Sequence, residues 1–276
     1  MKDVVPLTPT GGHLVDLPVL PGRSGSPSRF ILDTGIGPTL VSRRLASRLG
    51  VEPNGESFVG RRMSGQEISV PLAVLPRLRV GGLERRDLTV GIFDFALPAG
   101  METIEGFLSP FFFGDTAFTI RRRAAKLEIE DRASLAQRSQ QATGVPVRLD
   151  WDGPTVSIFV GVRLPDGTEV TTEVDTGSDG LILDARFLEP LGVHPGELGV
   201  ETREGTDETG HRYVRHSGRI RGEVGLRDAP GLRQVDVTAI FQSIIYDGLL
   251  GDSFLREFDV TYDLPGARLL CSPARD

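Results

Sequence analysis

Phe30-Ile31-Leu32-Asp33-Thr34-Gly35 is the most informative segment of the sequence, because an apolar run here ends on a carboxylate and a glycine. Its last three residues recur as Asp175-Thr176-Gly177, 142 positions later. In a chain of this length, about 0.05 copies of Asp-Thr-Gly are expected by chance. The second copy therefore predicts that the chain consists of two equivalent halves.

Other landmarks repeat at the same spacing. Leu49-Gly50-Val51 corresponds to Leu191-Gly192-Val193, and Gly106-Phe107-Leu108 corresponds to Gly248-Leu249-Leu250. Separated matches without an insertion between them are typical of an internal repeat. They indicate two lobes of the same structure.

The junction between the repeats is polar, and it contains Gln137, Gln140 and Gln141. Such a segment is typical of a connection rather than of a buried element. We therefore predict three parts: a first lobe at residues 1–137, a linker at residues 138–145 and a second lobe at residues 146–276.

Turn-forming residues are frequent, with 34 glycines and 19 prolines among 276 residues. Apolar runs separated by turns such as Pro165-Asp166-Gly167 predict many short strands. Ser42 and Asp184 are candidate helix N-caps after each repeat of Asp-Thr-Gly. We predict an all-β, bilobal protein with two barrel-like lobes related by a pseudo-twofold axis and a few short helices.

Composition excludes several functional classes. The net charge is −7 and Arg121-Arg122-Arg123 is the longest basic run, which argues against a nucleic-acid partner. The single cysteine, Cys271, excludes an internal disulfide and a cysteine-rich zinc site. Without an apolar run of about 18 residues we expect no membrane insertion.

The first residues have no continuous apolar region of the kind found in signal peptides. We therefore expect a cytoplasmic protein, or a periplasmic or secreted one if a signal peptide has been removed.

Two lobes that pack about a pseudo-twofold axis would bring Asp33 and Asp175 face to face. Two carboxylates in contact cannot both ionise easily, so one keeps a proton and the pair supplies both an acid and a base.

Such a pair can take a proton from a water molecule and give one to a carbonyl oxygen, which suits hydrolysis of an amide without a covalent intermediate.

The sequence resembles the aspartic proteases, specifically the small retropepsin-like and pepsin-like enzymes of bacteria. Besides the two Asp-Thr-Gly motifs, the resemblance rests on the downstream turns Ile104-Glu105-Gly106-Phe107-Leu108-Ser109 and Asp247-Gly248-Leu249-Leu250-Gly251. It covers nearly the whole chain and implies the bilobal acid-protease fold.

The resemblance implies roles for specific residues. Asp33 and Asp175 would form the catalytic dyad, and neighbouring residues would support it: Thr34, Gly35, Thr176, Gly177 and Ser178. Two hairpin tips would act as flaps over an extended polypeptide substrate: Met63-Ser64-Gly65 and Thr209-Gly210-His211. No metal or organic cofactor is expected, and the protein is expected to be a monomer.

Two residues depart from the family pattern. Ile36 stands where pepsin-like members carry a hydroxyl, whereas Ser178 retains one in the second lobe. Because a hydroxyl donor favours the ionised carboxylate, we expect Asp33 to hold the shared proton and activity to extend toward neutral pH. Ser109 stands where the second lobe has Gly251, which predicts a distorted first turn.

The sequence thus predicts an aspartic endopeptidase that hydrolyses peptide bonds with a water activated between two carboxylates. One alternative is a catalytically weak or inactive protease-like module that binds extended peptides in the cleft between the lobes. A second alternative is a structural or assembly domain that uses the fold as a scaffold, because a fold does not determine its function.

Overall fold

The computed structural model describes residues 3–22, 26–94, 97, 99–206 and 210–274. Strands account for 53% of the residues and helices for 10%. The predicted all-β bilobal fold with few short helices is therefore confirmed. Within the described ranges, no helix is both long enough and apolar enough to cross a membrane.

The strands of the first half of the chain are β1 (Asp3–Pro6), β2 (Thr8–Thr10), β3 (Leu14–Pro21), β4 (Ser28–Leu32), β5 (Leu40–Ser42), β6 (Ser57–Arg61), β7 (Glu67–Val80), β8 (Leu83–Phe93), β9 (Ile104–Leu108), β10 (Phe118–Arg121) and β11 (Lys126–Ile129). Helix α1 (Arg43–Leu49) follows β5, and a 3-10 helix (Pro110–Phe112) follows β9.

Helix α2 (Arg132–Gln141) joins the halves. The strands of the second half are β12 (Thr143–Pro146), β13 (Arg148–Asp152), β14 (Thr155–Arg163), β15 (Glu169–Val174), β16 (Leu181–Asp184), β17 (Glu201–Thr206), β18 (Arg212–Arg219), β19 (Glu223–Leu226), β20 (Ala229–Val235), β21 (Thr238–Gln242), β22 (Gly248–Leu250), β23 (Phe258–Asp263) and β24 (Arg268–Pro273). A 3-10 helix (Ala185–Phe187) follows β16, and α3 (Asp252–Leu255) follows β22.

Each lobe is built on one large sheet, and the two sheets have the same strand order. The first runs β2-β3-β4-β9-β5-β8-β7-β6. In the second, the path β14-β15-β22-β16-β21-β18-β17 corresponds strand by strand to the path β3-β4-β9-β5-β8-β7-β6 of the first. In both lobes the strand that leads to Asp-Thr-Gly pairs in parallel with a strand from the downstream turn: β4 with β9, and β15 with β22. Phe30, Ile31 and Leu32 are fully buried, as expected for a strand covered on both faces.

A third sheet connects the lobes, in the order β1-β11-β10-β23-β24-β12. Its three strands from the first half meet its three strands from the second half at the antiparallel pair β10–β23. One hydrophobic core of buried side chains extends through both large sheets and this connecting sheet. The two lobes are therefore packed together over a continuous apolar interior.

The helices after each Asp-Thr-Gly differ between the lobes. Ser42 caps α1 by accepting a hydrogen bond from the backbone N–H of Leu45, as predicted. Asp184 also acts as an N-cap, but the element that it caps is a single 3-10 turn. Pro190 lies where this helix would continue, and proline removes a helical hydrogen bond and disfavours the α conformation in the residue before it.

The predicted linker, residues 138–145, forms regular structure. It comprises the last four residues of α2 and most of β12, and β12 pairs with β24 at the edge of the connecting sheet. Asp131 and Ser134 form a reciprocal capping box at the start of α2. The connection between the lobes is thus held by hydrogen bonds along most of its length.

Candidate active site

The two Asp-Thr-Gly loops begin where two buried strands end. The backbone N–H of Asp33 donates to the carbonyl of Leu108 at 3.1 Å, and the N–H of Asp175 donates to the carbonyl of Leu250 at 3.0 Å. Each bond continues the parallel pairing of the preceding strand by one residue. The two aspartates are therefore held on rigid strand ends, as the apolar runs before them predict.

The threonines join the loops across the boundary between the lobes. The N–H of Thr34 donates to the Thr176 hydroxyl and the N–H of Thr176 donates to the Thr34 hydroxyl, each at 3.0 Å. Each hydroxyl in turn donates to a backbone carbonyl of the opposite lobe: Thr34 to Val174 at 2.7 Å and Thr176 to Leu32 at 3.1 Å. Both side chains are buried, so four hydrogen bonds hold the two loops together.

The glycines let each loop approach the opposite aspartate. A Cβ atom added to Gly35 would lie 2.5 Å from Oδ1 of Asp175, and one added to Gly177 would lie 2.7 Å from the carboxylate oxygens of Asp33. No real side chain fits at such a distance. These positions require glycine because the two carboxyl groups lie side by side between the loops.

The two carboxyl groups have different surroundings. Asp175 accepts hydrogen bonds from the Gly177 N–H at 2.8 Å and from the Ser178 hydroxyl at 2.5 Å. Asp33 accepts one from the Gly35 N–H at 2.9 Å. Burial, followed by the charge of Asp175, raises the pKa of Asp33 well above its usual range, and a hydrogen bond between the two carboxyl groups acts in the same direction. The arrangement favours a proton on Asp33 and places two hydrogen-bond donors on Asp175.

The departure at Ser109 does not distort the first turn. The backbone bonds from Asp33 to Leu108 and from Asp175 to Leu250 differ by only 0.1 Å, which contradicts the expected distortion. The Ser109 hydroxyl accepts from the N–H of Phe111 and caps the following 3-10 helix. The serine therefore has a local structural role that the glycine of the second lobe does not have.

The predicted flap of the first lobe contacts the second lobe. Met63, Ser64 and Gly65 form the tip between β6 and β7, and the carbonyl of Met63 accepts a hydrogen bond from the N–H of Ile245 at 2.8 Å. A Cβ atom added to Gly65 would lie 3.0 Å from Cγ2 of Ile245. The tip is thus bonded across the two lobes.

The predicted flap of the second lobe includes Thr209, which lies outside the described residues. Gly210 and His211 immediately precede β18. A Cβ atom added to Gly210 would meet no atom within 4 Å. This position therefore has open space around it, in contrast to the packed tip at Gly65.

Two further groups face the dyad and were not predicted. Glu173 is 5% exposed, and its charge contributes to the raised pKa of Asp33. Tyr246 has its pKa raised to about 12 by burial and then by the charges of Glu173, Asp150 and Asp175. The repeat contained a signal for the first of them, because the same spacing aligns Glu173 with the apolar Ile31.

Within the described part of the chain, no group of three or more histidine, cysteine, aspartate or glutamate side chains is arranged to hold a metal ion. His13 lies beside the site, where it contacts the second Asp-Thr-Gly loop. Its Nε2 atom is 2.8 Å from the carbonyl oxygen of Gly177. It helps to hold the second loop against the first lobe.

Comparison with known families agrees with this geometry. Residues 22–109 match a protein-family model described as aspartyl protease. The matched segment contains the first Asp-Thr-Gly and extends to Ser109, at the end of the downstream turn. The match covers about a third of the 276 residues and supports a general aspartic protease function. No curated protein matches the sequence.

Proposed function

We propose that the protein is an endopeptidase of the retropepsin-like and pepsin-like type, formed by duplication of one lobe within a single bacterial chain. The observation that carries the proposal is the pair Asp33 and Asp175, one from each lobe, with a proton favoured on one and two hydrogen-bond donors on the other. The substrate is a polypeptide bound in extended form between the lobes.

The asymmetry of the pair assigns the two roles. Ionised Asp175 takes a proton from a water molecule while the oxygen of that water bonds to the peptide carbonyl carbon. At the same time Asp33 gives its proton to the carbonyl oxygen. The resulting diol then collapses: the C–N bond breaks, Asp175 gives its proton to the departing amine, and a diol hydroxyl returns a proton to Asp33. The dyad is regenerated without a covalent intermediate.

The test is cleavage of a denatured protein or a peptide library between acid and neutral pH. Wild type and Asp152→Asn, which alters an exposed carboxylate of β13, should cleave equally. Asp33→Asn and Asp175→Asn should each lose at least a factor of about 1000, since each removes the acid or the base. Equal cleavage by these variants would refute the dyad. Binding of peptides without cleavage by wild type would favour the inactive peptide-binding module, and neither activity would favour a scaffold domain.

A further inference from the structure

Glu173 is placed near the dyad by the strand that carries it. It lies two residues before Asp175 on β15, and alternate residues of a strand project from the same face. Phe159 of β14 lies directly opposite it. Glu173 is therefore a carboxyl group on the face of the sheet that carries the dyad, next to an aromatic ring.

Among the described residues, no cation pairs with the Glu173 carboxyl. Glu173 hydrogen-bonds the neutral hydroxyl of Ser157. The guanidinium of Arg148 lies 4.2 Å from the centroid of the Phe159 ring and is paired with Asp150 instead. A buried carboxyl without a positive partner is costly to ionise. Accordingly, burial and the charge of Asp175 raise the pKa of Glu173 to about 8.

The first lobe has an apolar residue at the position equivalent to Glu173. Ile31, at the equivalent position, packs in a small apolar cluster with Met101 and Ile104 that is separate from the main core. Leu14 and Phe107, both partly exposed, pack against the same cluster. The dyad thus has an apolar group on the side of the first lobe and an acidic group on the side of the second.

From these contacts we propose that Glu173 is a specificity-determining residue that selects a substrate with a lysine or arginine beside the scissile bond. The inference rests on the proposed peptidase function. A polypeptide on the dyad must place one neighbouring side chain against each lobe. An apolar side chain matches the first lobe, and a cation matches the Glu173 carboxyl of the second, whose described partner is the neutral Ser157 hydroxyl.

The surroundings of Glu173 suit a cation and no other charged group. The titratable and charged groups around it are Asp175 on its own strand, Asp150 and Arg148 on β13, and Tyr246. The Tyr246 and Phe159 rings pack edge to face, 5.7 Å between centroids. Aromatic faces attract ammonium and guanidinium groups, as Arg148 already shows on Phe159. An arriving cation would stabilise the ionised carboxylate, so Glu173 would release its proton on binding.

The experiment compares matched peptides that differ only at one residue flanking the scissile bond, lysine against norleucine. The ratio of their kcat/KM values does not depend on how much of a variant is folded. Wild type should favour lysine at one flanking position by at least tenfold, which is about the smallest coupling measured between close charge pairs at a protein interface. Glu173→Gln keeps the size of the side chain and should bring the ratio to within twofold of one.

A matched control removes a charge from the other end of the same strand. Glu169→Gln alters an exposed carboxylate that pairs with Arg163, and it should keep the wild-type ratio. A wild type that cleaves both peptides with equal kcat/KM overturns the specificity proposal and leaves the peptidase proposal intact. The same holds if Glu173→Gln retains the preference for lysine. Failure of wild type to cleave any peptide contradicts both proposals, so the two failures are distinguishable.

Discussion

Thr119 and Thr261 face each other at the centre of the connecting sheet, with their Oγ1 atoms 2.7 Å apart. They are cross-strand partners of β10 and β23 and are separated by 142 residues, as are Thr34 and Thr176. Residues at equivalent positions can meet only on the axis that relates the two lobes. The two threonine pairs therefore mark this axis at the connecting sheet and at the dyad.

The threonine bonds at the dyad should contribute to both stability and activity. Thr34→Val keeps the shape of the side chain but leaves the N–H of Thr176 and the carbonyl of Val174 without partners. Each buried unpaired group costs about 1–3 kcal/mol, so the free energy of unfolding should fall by about 2–6 kcal/mol. Urea denaturation measures it. Thr34→Ser, which keeps the hydroxyl, should lose less than half as much, and a valine variant as stable as wild type would contradict the assignment.

The missing hydroxyl beside Asp33 should set the alkaline limit of activity. Ile36→Ser places a hydroxyl where the equivalent Ser178 bonds Asp175. A donor to the ionised form would lower the raised pKa of Asp33, so the shared proton would be lost at lower pH. The alkaline limb of the kcat/KM profile should therefore move down by about one pH unit. Ile36→Val is the control and should leave the alkaline limb in place. An alkaline limb that moves equally in both variants would show that the hydroxyl at position 36 is not responsible.

An ion pair between the buried Glu105 and the half-exposed Arg48 should make stability depend on pH. Arg48 donates two hydrogen bonds to Glu105, at 2.6 and 2.7 Å, and Ser28 donates a third at 2.6 Å. These bonds, the one from Arg48 first, lower the pKa of Glu105. A carboxyl whose pKa is lower in the folded protein stabilises the fold above its unfolded pKa of about 4.3, and this contribution is lost as the pH falls through the folded value.

Glu105→Gln should therefore reduce the free energy of unfolding by about 1–3 kcal/mol at pH 7 and by much less at pH 3. Urea denaturation at the two pH values checks this. Glu67→Gln is the matched control, because Glu67 forms an exposed pair with Arg61 and should cost less than about 0.5 kcal/mol. A loss for Glu105→Gln that is equally large at both pH values would show that the charge is not responsible.

The contact between the first flap and the second lobe should be weakened by Gly65→Ala. Gly65 has φ of 83°, where a side chain costs about 1–2 kcal/mol, and the new methyl group would press on Ile245. We expect faster hydrogen exchange at the amide of Ile245 and a higher KM for peptides. Gly210→Ala has a similar backbone cost, since Gly210 has φ of 84°, but it faces open space. It should leave the exchange of Ile245 unchanged.

The repeat of Asp-Thr-Gly made much of the architecture predictable. A single spacing identified both loops, and the same residues turned out to lie at the ends of buried parallel strands. Helix caps were also predictable, because Ser42 and Asp184 act through local hydrogen bonds. Features that depend on neighbours in sequence are thus visible without a structure.

Features that depend on distant neighbours were not visible in the sequence. Ile245 meets Met63 through a backbone bond, which any residue type except proline at position 245 would allow. The distortion expected from Ser109 was wrong because the backbone bonds of the turn do not involve its side chain. Pro190 is present in the sequence, but the shortening of the second helix becomes apparent only when the two repeats are compared residue by residue.

The bond between Met63 and Ile245 has a consequence for how a chain reaches the dyad. Because the first hairpin is hydrogen-bonded to the opposite lobe at its tip, the chain closes a ring that runs through the hairpin and both lobes. A long polypeptide cannot be laid sideways into a closed ring; it enters by its free end, or the ring opens. Short peptides and frayed termini would thus be admitted more readily than internal loops of a folded protein.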